Sequence, residues 1–555
     1  MWSIGLPYLP TALQYMGYSF TRMVLAYALS LAFAVIYGYI AATNRVAEKI
    51  LLPILDILQS VPILGFFPVV IVIFIDLTGP KSFLGPNLAS IFLIFTSMSW
   101  NMAFGVYESI KTLPSDLSEV GSSVGLGGLL RFRKLLFPAM ANRLIYNSVL
   151  SWTAGWYYLV TSEIISTAVS TTTLPGIGSY LLIAASNDNG NEILSGVIVL
   201  VGVIAVLDLL LWRPLGKVAE RYRFDTSPSA STEADSGPAF RRVTGVMGRA
   251  YARGASVVRV VVLPFARRGS TPSYGSARTS WAEEGSARTK HPLLSATLRY
   301  IAIGTALVAG WLIVIAIAVS VYSVYTHPIA PAVMAYVQLV PAAIGLSAVR
   351  IVAAYLISLA IALPLAVFLF RHARARAWGL PVIQVVAAIP ATALFPLFLF
   401  NLRNYIGTEA AVIFVIVTGM IWYLFFNIFS GLRTIPPDLE EAANSMGLKG
   451  GKYYRRLVFP GIFSAFVTGS ITAMGGGWNT LIIAEYLRYG HHSIQVLGIG
   501  ELIDIGVYPV SNGGIAGGTA LMVAALLTLV VTVVAVNKVV WKRLYRLATE
   551  KYRYD

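Results

Sequence analysis

Two glutamates are the most notable candidates for chemistry in this 555-residue chain, because each lies within an apolar run. Glu163 follows Trp156 by seven positions, and Glu485 follows Trp478 by the same interval. An ionisable side chain at membrane depth is costly, so it usually faces protein or water. Each carboxylate could therefore line or gate a passage, or pair with a cation at a helix end. Each tryptophan could line the same passage or pack between helices.

Arg22 and Arg350 are the candidate cations, since each is a basic residue upstream of one of these glutamates in an apolar run. Each arginine could pair with a glutamate, line the passage, or do both. A buried cation would need such a partner, because burial of an unpaired charge is very unfavourable.

Other kinds of chemistry are not expected. The chain has no cysteine and only five histidines, which excludes disulfides and thiolate metal sites and leaves little material for a metal centre. A Gly-x4-Gly-Lys-Ser/Thr phosphate loop is absent, and segment 447–452 has glycines and a lysine at the wrong spacing. Because clustered histidines and paired catalytic carboxylates are also absent, we expect no enzyme activity, cofactor or metal.

Composition predicts an all-α membrane protein. Hydrophobic residues make up 57% of the chain and charged residues 12%, and the mean hydropathy is +0.73. A soluble domain carries roughly twice that charged fraction. A spanning helix needs about 20 mostly apolar residues. Eleven runs qualify, near 22–42, 54–76, 88–110, 141–165, 193–213, 298–322, 347–370, 381–401, 410–431, 462–485 and 516–538.

The positions of the basic residues predict the orientation. Lysines and arginines follow the first, third, fifth, seventh, ninth and eleventh runs, whereas an opposite loop such as 166–192 holds almost none. Cytoplasmic loops carry the excess of basic residues. We therefore expect a plasma or inner membrane protein with its N-terminus outside and its C-terminus in the cytoplasm. The net charge of +16 is explained in this way, so nucleic acid is not an expected partner.

Residues 214–296 interrupt the apolar pattern and divide the chain. This stretch is rich in Ser, Ala and Pro at first and in arginine later. It predicts a basic cytoplasmic linker, partly disordered, that is either a solvated tether or a segment lying on anionic lipid headgroups. We expect a first domain over 1–213 with five spans and a second over 297–555 with six.

The two domains are an internal repeat. Positions in the first half match positions in the second half at one offset before the third span, as Arg22 matches Arg350. From the third span onward they match at another offset, as Glu163 matches Glu485. Equivalent spans then cross in the same direction, which is a parallel repeat. The span at 298–322 has no partner and returns the chain to the outside. First-half residues with a clear match at the Glu163–Glu485 offset are 113–117, Gly125, Phe137, Pro138, Trp156, Glu163 and 176–178. Those with a clear match at the Arg22–Arg350 offset are Arg22, Tyr27, Ser30, Pro62 and Pro68.

A cytoplasmic segment between the third and fourth spans of each half is the candidate for function. In the second half, acidic residues from Asp438 precede the small Ala442 and Ala443, and Gly447 can separate two short helices. Pro460 suits the first turn of the next span. Such a helix-turn-helix on the membrane face would make a rigid knob for a groove on a partner.

The segment resembles the EAA motif of importer permeases of ATP-binding-cassette transporters. Glu441, Ala442, Ala443, Gly447 and Pro460 fit that motif. The first half keeps the motif at Glu119, Gly125 and Pro138, but Val120 and Gly121 replace the two alanines. The resemblance implies a type I importer permease fold, duplicated here, with coupling helices that dock on two separate ATPase subunits.

A second resemblance is to the nitrate/sulfonate/taurine permease subfamily. It rests on the Trp-x6-Glu pairs, on the Gly-x-Gly that follows each of them and on the two arginines named above. It implies an extracytoplasmic substrate-binding protein and a small anion as substrate, such as nitrate, bicarbonate, a sulfonate or taurine. ATP would be bound and hydrolysed by the partner subunit.

Two other classes remain open on the sequence. One is an ion- or proton-coupled secondary transporter with parallel repeats, which would not need paired cytoplasmic EAA elements. The other is a membrane-embedded enzyme, for which the residues expected of a catalytic site are missing. Pro62, Pro68, Pro390 and Pro396 are expected to kink the second span of each half.

Overall fold

The computed structural model describes residues 6–60, 62–79, 82–126, 128–169, 174–212, 214–216, 331–398, 402–489, 492–507, 515 and 517–551. Beyond its first three residues, the linker expected over 214–296 lies outside these residues. So does the span expected over 298–322. The described part is almost entirely helical, as the composition predicts.

The first half starts with a short 3₁₀ turn at Leu6–Tyr8, and π-helical turns precede α7 and follow α9. Its α-helices are α1 (Leu9–Thr43), α2 (Arg45–Ser60), α3 (Ile63–Thr78), α4 (Leu84–Lys111), α5 (Ser115–Ser123), α6 (Gly128–Arg131), α7 (Phe137–Val169), α8 (Ile177–Ser186) and α9 (Gly190–Leu207).

The second half repeats this order and adds an antiparallel hairpin, β1 (Tyr486–Tyr489) and β2 (His492–Gln495), in which Tyr486 pairs with Gln495. Its α-helices are α10 (Pro331–Arg371), α11 (Ala373–Ala388), α12 (Ala391–Leu397), α13 (Arg403–Ile406), α14 (Thr408–Arg433), α15 (Pro437–Ser445), α16 (Gly451–Tyr453), α17 (Phe459–Glu485), α18 (Ile499–Val507), α19 (Thr519–Val536) and α20 (Lys542–Lys551).

Helix boundaries confirm the repeat inferred from the sequence. The first residues of α15, α17 and α18 follow those of α5, α7 and α8 at the same offset that relates Glu163 to Glu485. The first residues of α11 and α12 follow those of α2 and α3 at the offset that relates Arg22 to Arg350. Identical offsets at helix starts mean that the matched residues occupy equivalent places in two copies of one fold.

Seven described helices are long and apolar enough to cross a membrane. They contain α1, α4, α9, α10, α14, α17 and α19. Helix α7 has a sufficient length of 33 residues but is more polar. The structure is thus that of a multi-pass helical membrane protein, and the count of eleven spans stays a prediction.

The second span of each half is two helices and not the one helix expected over 54–76 and 381–401. The break falls at Pro62 between α2 and α3, and at Pro390 between α11 and α12. Their ψ angles of 115° and 117° are extended, and proline lacks the N–H that a continuing helix would need. Pro68 lies inside α3.

The two halves contact each other through the shorter helices after these breaks. Helix α3 packs against α17, α18 and α19, and its counterpart α12 packs against α7 and α8. The same helix of each half packs against the other half, so the contact is reciprocal. This is expected for two copies related by an approximate two-fold axis. The larger contacts, α1 with α4, α4 with α7, α10 with α14 and α14 with α17, hold each half together.

Candidate functional site

A buried ion pair joins α1 to α7 near the end of α7. The Arg22 guanidinium donates from Nη1 to Glu163 Oε1 at 2.7 Å, and both side chains are almost completely buried. Ser19 Oγ donates to the same oxygen at 2.7 Å. The backbone N–H of Gly178, in the first turn of α8, donates to Oε2 at 2.8 Å. A negative charge at a helix N-terminus is favourable, so the carboxylate also fixes α8 in place.

The second half repeats this arrangement atom for atom. Ser347 Oγ donates to Glu485 Oε1 at 2.6 Å, and Arg350 Nη1 donates to it at 2.9 Å. The backbone N–H of Gly500 donates to Oε2 at 2.8 Å. Both glutamates are therefore paired with arginines, which is one of the alternatives that the sequence left open. A role of these residues in gating stays a prediction.

The two clusters differ in one partner. Arg22 Nε donates to the Asn87 amide oxygen at 2.7 Å. Arg350 instead makes a bidentate pair with Glu409, at 2.8 Å from Nε and 2.7 Å from Nη2. The Glu409 side chain is 62% exposed. The second cluster thus carries one more carboxylate than the first.

These contacts explain the Gly-x-Gly pattern after each glutamate. A methyl group at Gly176 would overlap the Glu163 carboxylate, and one at Gly178 would overlap the Val160 carbonyl. Gly498 is similarly placed against Glu485. The glycines are therefore required by the close approach of a helix start to a buried carboxylate.

Both tryptophans of the sequence pattern are buried in packing. Trp156 is 1% exposed and makes an edge-to-face contact with Trp152, with ring centroids 6.2 Å apart. Trp478 is 4% exposed. Both tryptophans therefore pack between helices, which is one of the two alternatives that the sequence left open.

The two halves make polar contacts through residues that follow Trp156 and Trp478 by one or two positions. The Tyr157 hydroxyl and Thr480 Oγ1 are 3.0 Å apart. The Leu64 N–H donates to Asn479 Oδ1 at 3.1 Å, and Thr392 Oγ1 donates to the Tyr157 carbonyl at 3.2 Å. Sequence reasoning did not single out these residues, although each follows a tryptophan or a proline of the repeat.

The segment between α14 and α17 has the helix-turn geometry expected from the sequence. Helix α15 is followed by Gly447 with φ of 65°, a conformation that favours glycine. The N–H of Met446 donates to the Ala442 carbonyl and that of Leu448 to the Ala443 carbonyl, both at 2.9 Å. Ala442 is exposed, but Ala443 is buried, so only one of the two alanines can meet a partner. Glu441 is exposed beside it, and Pro460 is in the first turn of α17.

The first half has the same turn with different side chains. Gly125 has φ of 74°, and the N–H of Leu126 donates to the Gly121 carbonyl at 2.9 Å. Val120 is 59% exposed where the second half has Ala442. Gly121 occupies the inward position, where an added methyl would lie 3.1 Å from the Leu135 side chain. Glu119 is exposed, and Pro138 is the second residue of α7.

An ion pair braces the end of α4 next to the helix-turn segment of the first half. Glu48 of α2 accepts from Lys111 Nζ at 2.7 Å and from the Tyr107 hydroxyl at 2.7 Å. The hydrogen bond from Lys111, with that from Tyr107, holds the pKa of Glu48 below its ordinary value. The contact fixes α4 to α2 just before α5 begins.

A family model described as "Binding-protein-dependent transport system inner membrane component" matches residues 34–213 and again 354–545. Together these two matches cover well over half of the chain. The first match begins in α1 and the second in the equivalent helix α10, in agreement with the repeat seen in the fold.

Curated relatives share shorter stretches. An Escherichia coli protein whose name assigns it to aliphatic sulfonates transport is 34% identical over 19% of this chain and 38% of its own length. A nitrate import permease protein of Leptolyngbya laminosa is 23% identical over 37% of this chain and 66% of its own length. A bicarbonate transport system permease protein of Synechococcus elongatus is 29% identical over 22% of this chain and 41% of its own length. The chain thus spans less than two thirds of each of these relatives.

Proposed function

Because this chain belongs to the family of binding-protein-dependent transport system inner membrane components and carries that domain twice, we propose that it forms both membrane halves of an ATP-driven importer. Its family and relatives are transport permeases and not enzymes. The observation that carries the proposal is the pair of matched helix-turn elements, α5 and α15, each followed by a glycine with positive φ.

The proposed partners of these two elements are two cytoplasmic ATPase subunits, one for each. Exposed side chains at both turns support this, because Met446 is 76% exposed and Val120 and Val124 are exposed as well. Apolar side chains on the cytoplasmic end of a membrane protein suit a groove on another protein. Closure of an ATPase dimer would move α5 and α15 together and change the contact between the halves.

The proposed organisation follows the sequence expectations. Domains over 1–213 and 297–555 would be joined by a cytoplasmic linker over 214–296, with the N-terminus outside and the C-terminus inside. This orientation places α5 and α15 in the cytoplasm, where ATP is available. An extracytoplasmic binding protein would deliver the substrate to the opposite face.

A small oxyanion is the proposed substrate class. The relatives named above are assigned to sulfonates, nitrate and bicarbonate, which are all small solutes with a charged oxygen group. Buried Arg22 and Arg350 do not decide this class, because both are already paired with glutamates.

The test is the composition and activity of the complex. The chain is purified together with the ATPase and the binding protein that assemble with it, and the mass of the complex is measured. We expect one copy of this chain with two ATPase copies, and ATP-dependent uptake of an oxyanion into reconstituted vesicles. Two copies of this chain in the complex, or uptake that continues without ATP, would refute the proposal.

A further inference from the structure

A cavity of about 280 Å³ lies behind the helix-turn element of the second half. It is bordered by the last turn of α10, the end of α14, α15 and the π-helical turn that precedes α17. Its volume is close to the lower limit of about 300 Å³ for small-molecule sites, so a small solute would fill it. The apolar part of its wall is formed by Val367, Phe370, Leu432, Ile435 and Val458.

The polar part of the wall contains a cation without an anionic partner. Arg371, the last residue of α10, is exposed and makes no ion pair with any residue that the structure describes. Its guanidinium lies over the rings of Tyr454 and Tyr453, at 4.9 and 5.6 Å from their centroids. A guanidinium has five N–H donors, and contacts with ring faces leave these donors available to a ligand.

The same cavity is lined by a carboxylate. Glu440 of α15 is partly buried, and its one hydrogen bond among the described residues is from the Tyr453 hydroxyl at 3.5 Å. This distance is long for a bond between two oxygen atoms, so the carboxylate keeps most of its capacity to accept. Arg371 and Glu440 therefore face one cavity with opposite charges but do not pair with each other.

The first half has neither of these charges. At the offsets of the repeat, Thr43 stands in place of Arg371 and Ser118 in place of Glu440. Both halves fold into the same helices, so the fold does not require a charged pair at this place. The two charges are a property of the second half that remains to be explained by function.

The first half also has a larger side chain at an equivalent position of the wall. Tyr39 stands in place of Val367, and its ring packs edge-to-face against Phe132, with centroids 5.4 Å apart. Phe132 is the equivalent of Tyr454. A tyrosine takes up more of this space than a valine, so the exchange to Val367 leaves room in the second half.

The charges on the wall determine which ligand fits. A simple anion would be repelled by Glu440, and a simple cation by Arg371. A molecule that carries both an anionic oxygen group and an ammonium group would be attracted by both residues. Guanidinium groups bind carboxylate and phosphate oxygens with two parallel hydrogen bonds, and ammonium groups bind carboxylates and the faces of tyrosine rings.

We propose that this cavity binds a small zwitterion, with its anionic group on Arg371 and its ammonium group on Glu440. Such a ligand would connect α10 to α15 and hold the second helix-turn element in one position, whereas the first element has no equivalent control. This effect on coupling rests on the transport function proposed above, but the binding site does not. The zwitterion is either a free solute or the headgroup of a zwitterionic phospholipid.

The test measures whether a zwitterion shields the cavity wall. Val367→Cys places the only thiol of the chain in this wall, because the chain has no natural cysteine. The variant, in nanodiscs of phosphatidylglycerol, is labelled with the neutral methyl methanethiosulfonate. The probes are β-alanine, which carries both charges, and propanoate and propylammonium, which carry one each. At about ten times its Kd, β-alanine should slow labelling about tenfold, and the other two probes less than about twofold.

Three further variants serve as controls. Met446→Cys, at a position that is 76% exposed and outside the cavity wall, should be labelled at the same rate with and without β-alanine. Arg371→Gln or Glu440→Gln, each combined with Val367→Cys, should abolish the shielding by β-alanine. Both residues have a polar replacement of similar size, so the fold should be retained.

A second lipid distinguishes the two sources of the zwitterion. If the headgroup is the ligand, nanodiscs of phosphatidylethanolamine should slow labelling of Val367→Cys about tenfold without any probe, and Arg371→Gln should remove this effect. Equal shielding by propanoate and β-alanine would overturn the zwitterion in favour of an anion. Shielding by neither β-alanine nor phosphatidylethanolamine, or shielding that persists in both glutamine variants, would overturn the site. Labelling needs neither ATPase nor transport, so its failure is distinguishable from failure of the importer function.

Discussion

Arg22 and Glu163 lie 2.7 Å apart with both side chains almost completely removed from solvent, and Arg350 repeats the pair with Glu485 at 2.9 Å. Each carboxylate also accepts a serine hydroxyl and a backbone N–H from the start of a short helix. The pair therefore connects three helices of one half at a single point. Loss of the ion pair should therefore destabilise the packing of all three helices together.

Removal of one partner of the first pair is expected to destabilise the protein strongly. Arg22→Met leaves the Glu163 carboxylate buried without its cation, at a cost of about 3–5 kcal/mol. The measurement is the midpoint of thermal unfolding in detergent, which should fall clearly. The double variant Arg22→Met with Glu163→Leu is the control, because it leaves no charge behind and should recover much of the loss. Equal midpoints for Arg22→Met and the unaltered chain would contradict this account.

Glu409→Asn is expected to be tolerated, although it also removes a carboxylate from an arginine. Glu409 is 62% exposed, so water solvates its end of the pair although Arg350 is only 5% exposed, and the loss should be close to that of an exposed pair, about 0–1 kcal/mol. The change also recreates the partner that Arg22 has in Asn87. The same unfolding measurement should place Glu409→Asn within experimental error of the unaltered chain and far above Arg350→Met. A large loss for Glu409→Asn would show that the extra carboxylate is structurally required.

Gly498→Ala is expected to displace α18 from Glu485. The added methyl would overlap the carboxylate, so a strain of about 1–3 kcal/mol is expected from overpacking. Gly202→Ala is the matched control, because nothing lies within 4 Å of a methyl group at that position of α9. The control should be neutral or slightly stabilising. Similar unfolding midpoints for both variants would show that the Gly-x-Gly pattern has another origin.

The sequence predicted the duplication and the helix-turn of each half, because each depends on local spacing that repeats. Pairing of each glutamate with an arginine was one of two alternatives that the sequence left open. It did not predict that Pro62 and Pro390 end a helix, since proline within a membrane span often only bends it. The inward position of Ala443 was also missed, because both alanines look equally suited to a close approach. The contact between Tyr157 and Thr480 could not be predicted from the repeat, since these two positions are not equivalent to each other.

The polar face of α17 did leave a signal that the sequence analysis did not use. Ser464, Thr468 and Thr472 recur at every fourth position inside an apolar run. Serine and threonine can satisfy their hydroxyl groups on their own helix, as Thr472 does with the Thr468 carbonyl at 3.0 Å. Periodicity alone therefore could not separate a passage from a lipid-facing surface.

Glu441→Lys is expected to uncouple ATP hydrolysis from transport while the protein stays folded. The side chain is exposed on α15, so its replacement costs little in folding but reverses the charge presented to the ATPase. Substrate-stimulated ATP hydrolysis in reconstituted vesicles should be lost. Glu119→Lys makes the same change on α5 and tests whether the turn with Val120 contributes equally. Undiminished hydrolysis in both variants would argue against docking at these turns.

Tyr157→Phe is expected to weaken the contact between the two halves. The change removes the hydroxyl that lies 3.0 Å from Thr480 but keeps the aromatic packing against Phe395. A hydrogen bond contributes about 1 kcal/mol net, so a form in which the two halves have separated at this contact should become about fivefold more populated. Basal ATP hydrolysis without substrate, measured in the assembled complex, should rise by a similar factor. Tyr146→Phe is the control, because Tyr146 is an exposed residue of α7 three turns earlier, away from this contact. A rise in both variants would attribute the effect to the loss of any hydroxyl from the face, whereas no rise in Tyr157→Phe would remove this contact from the closing mechanism.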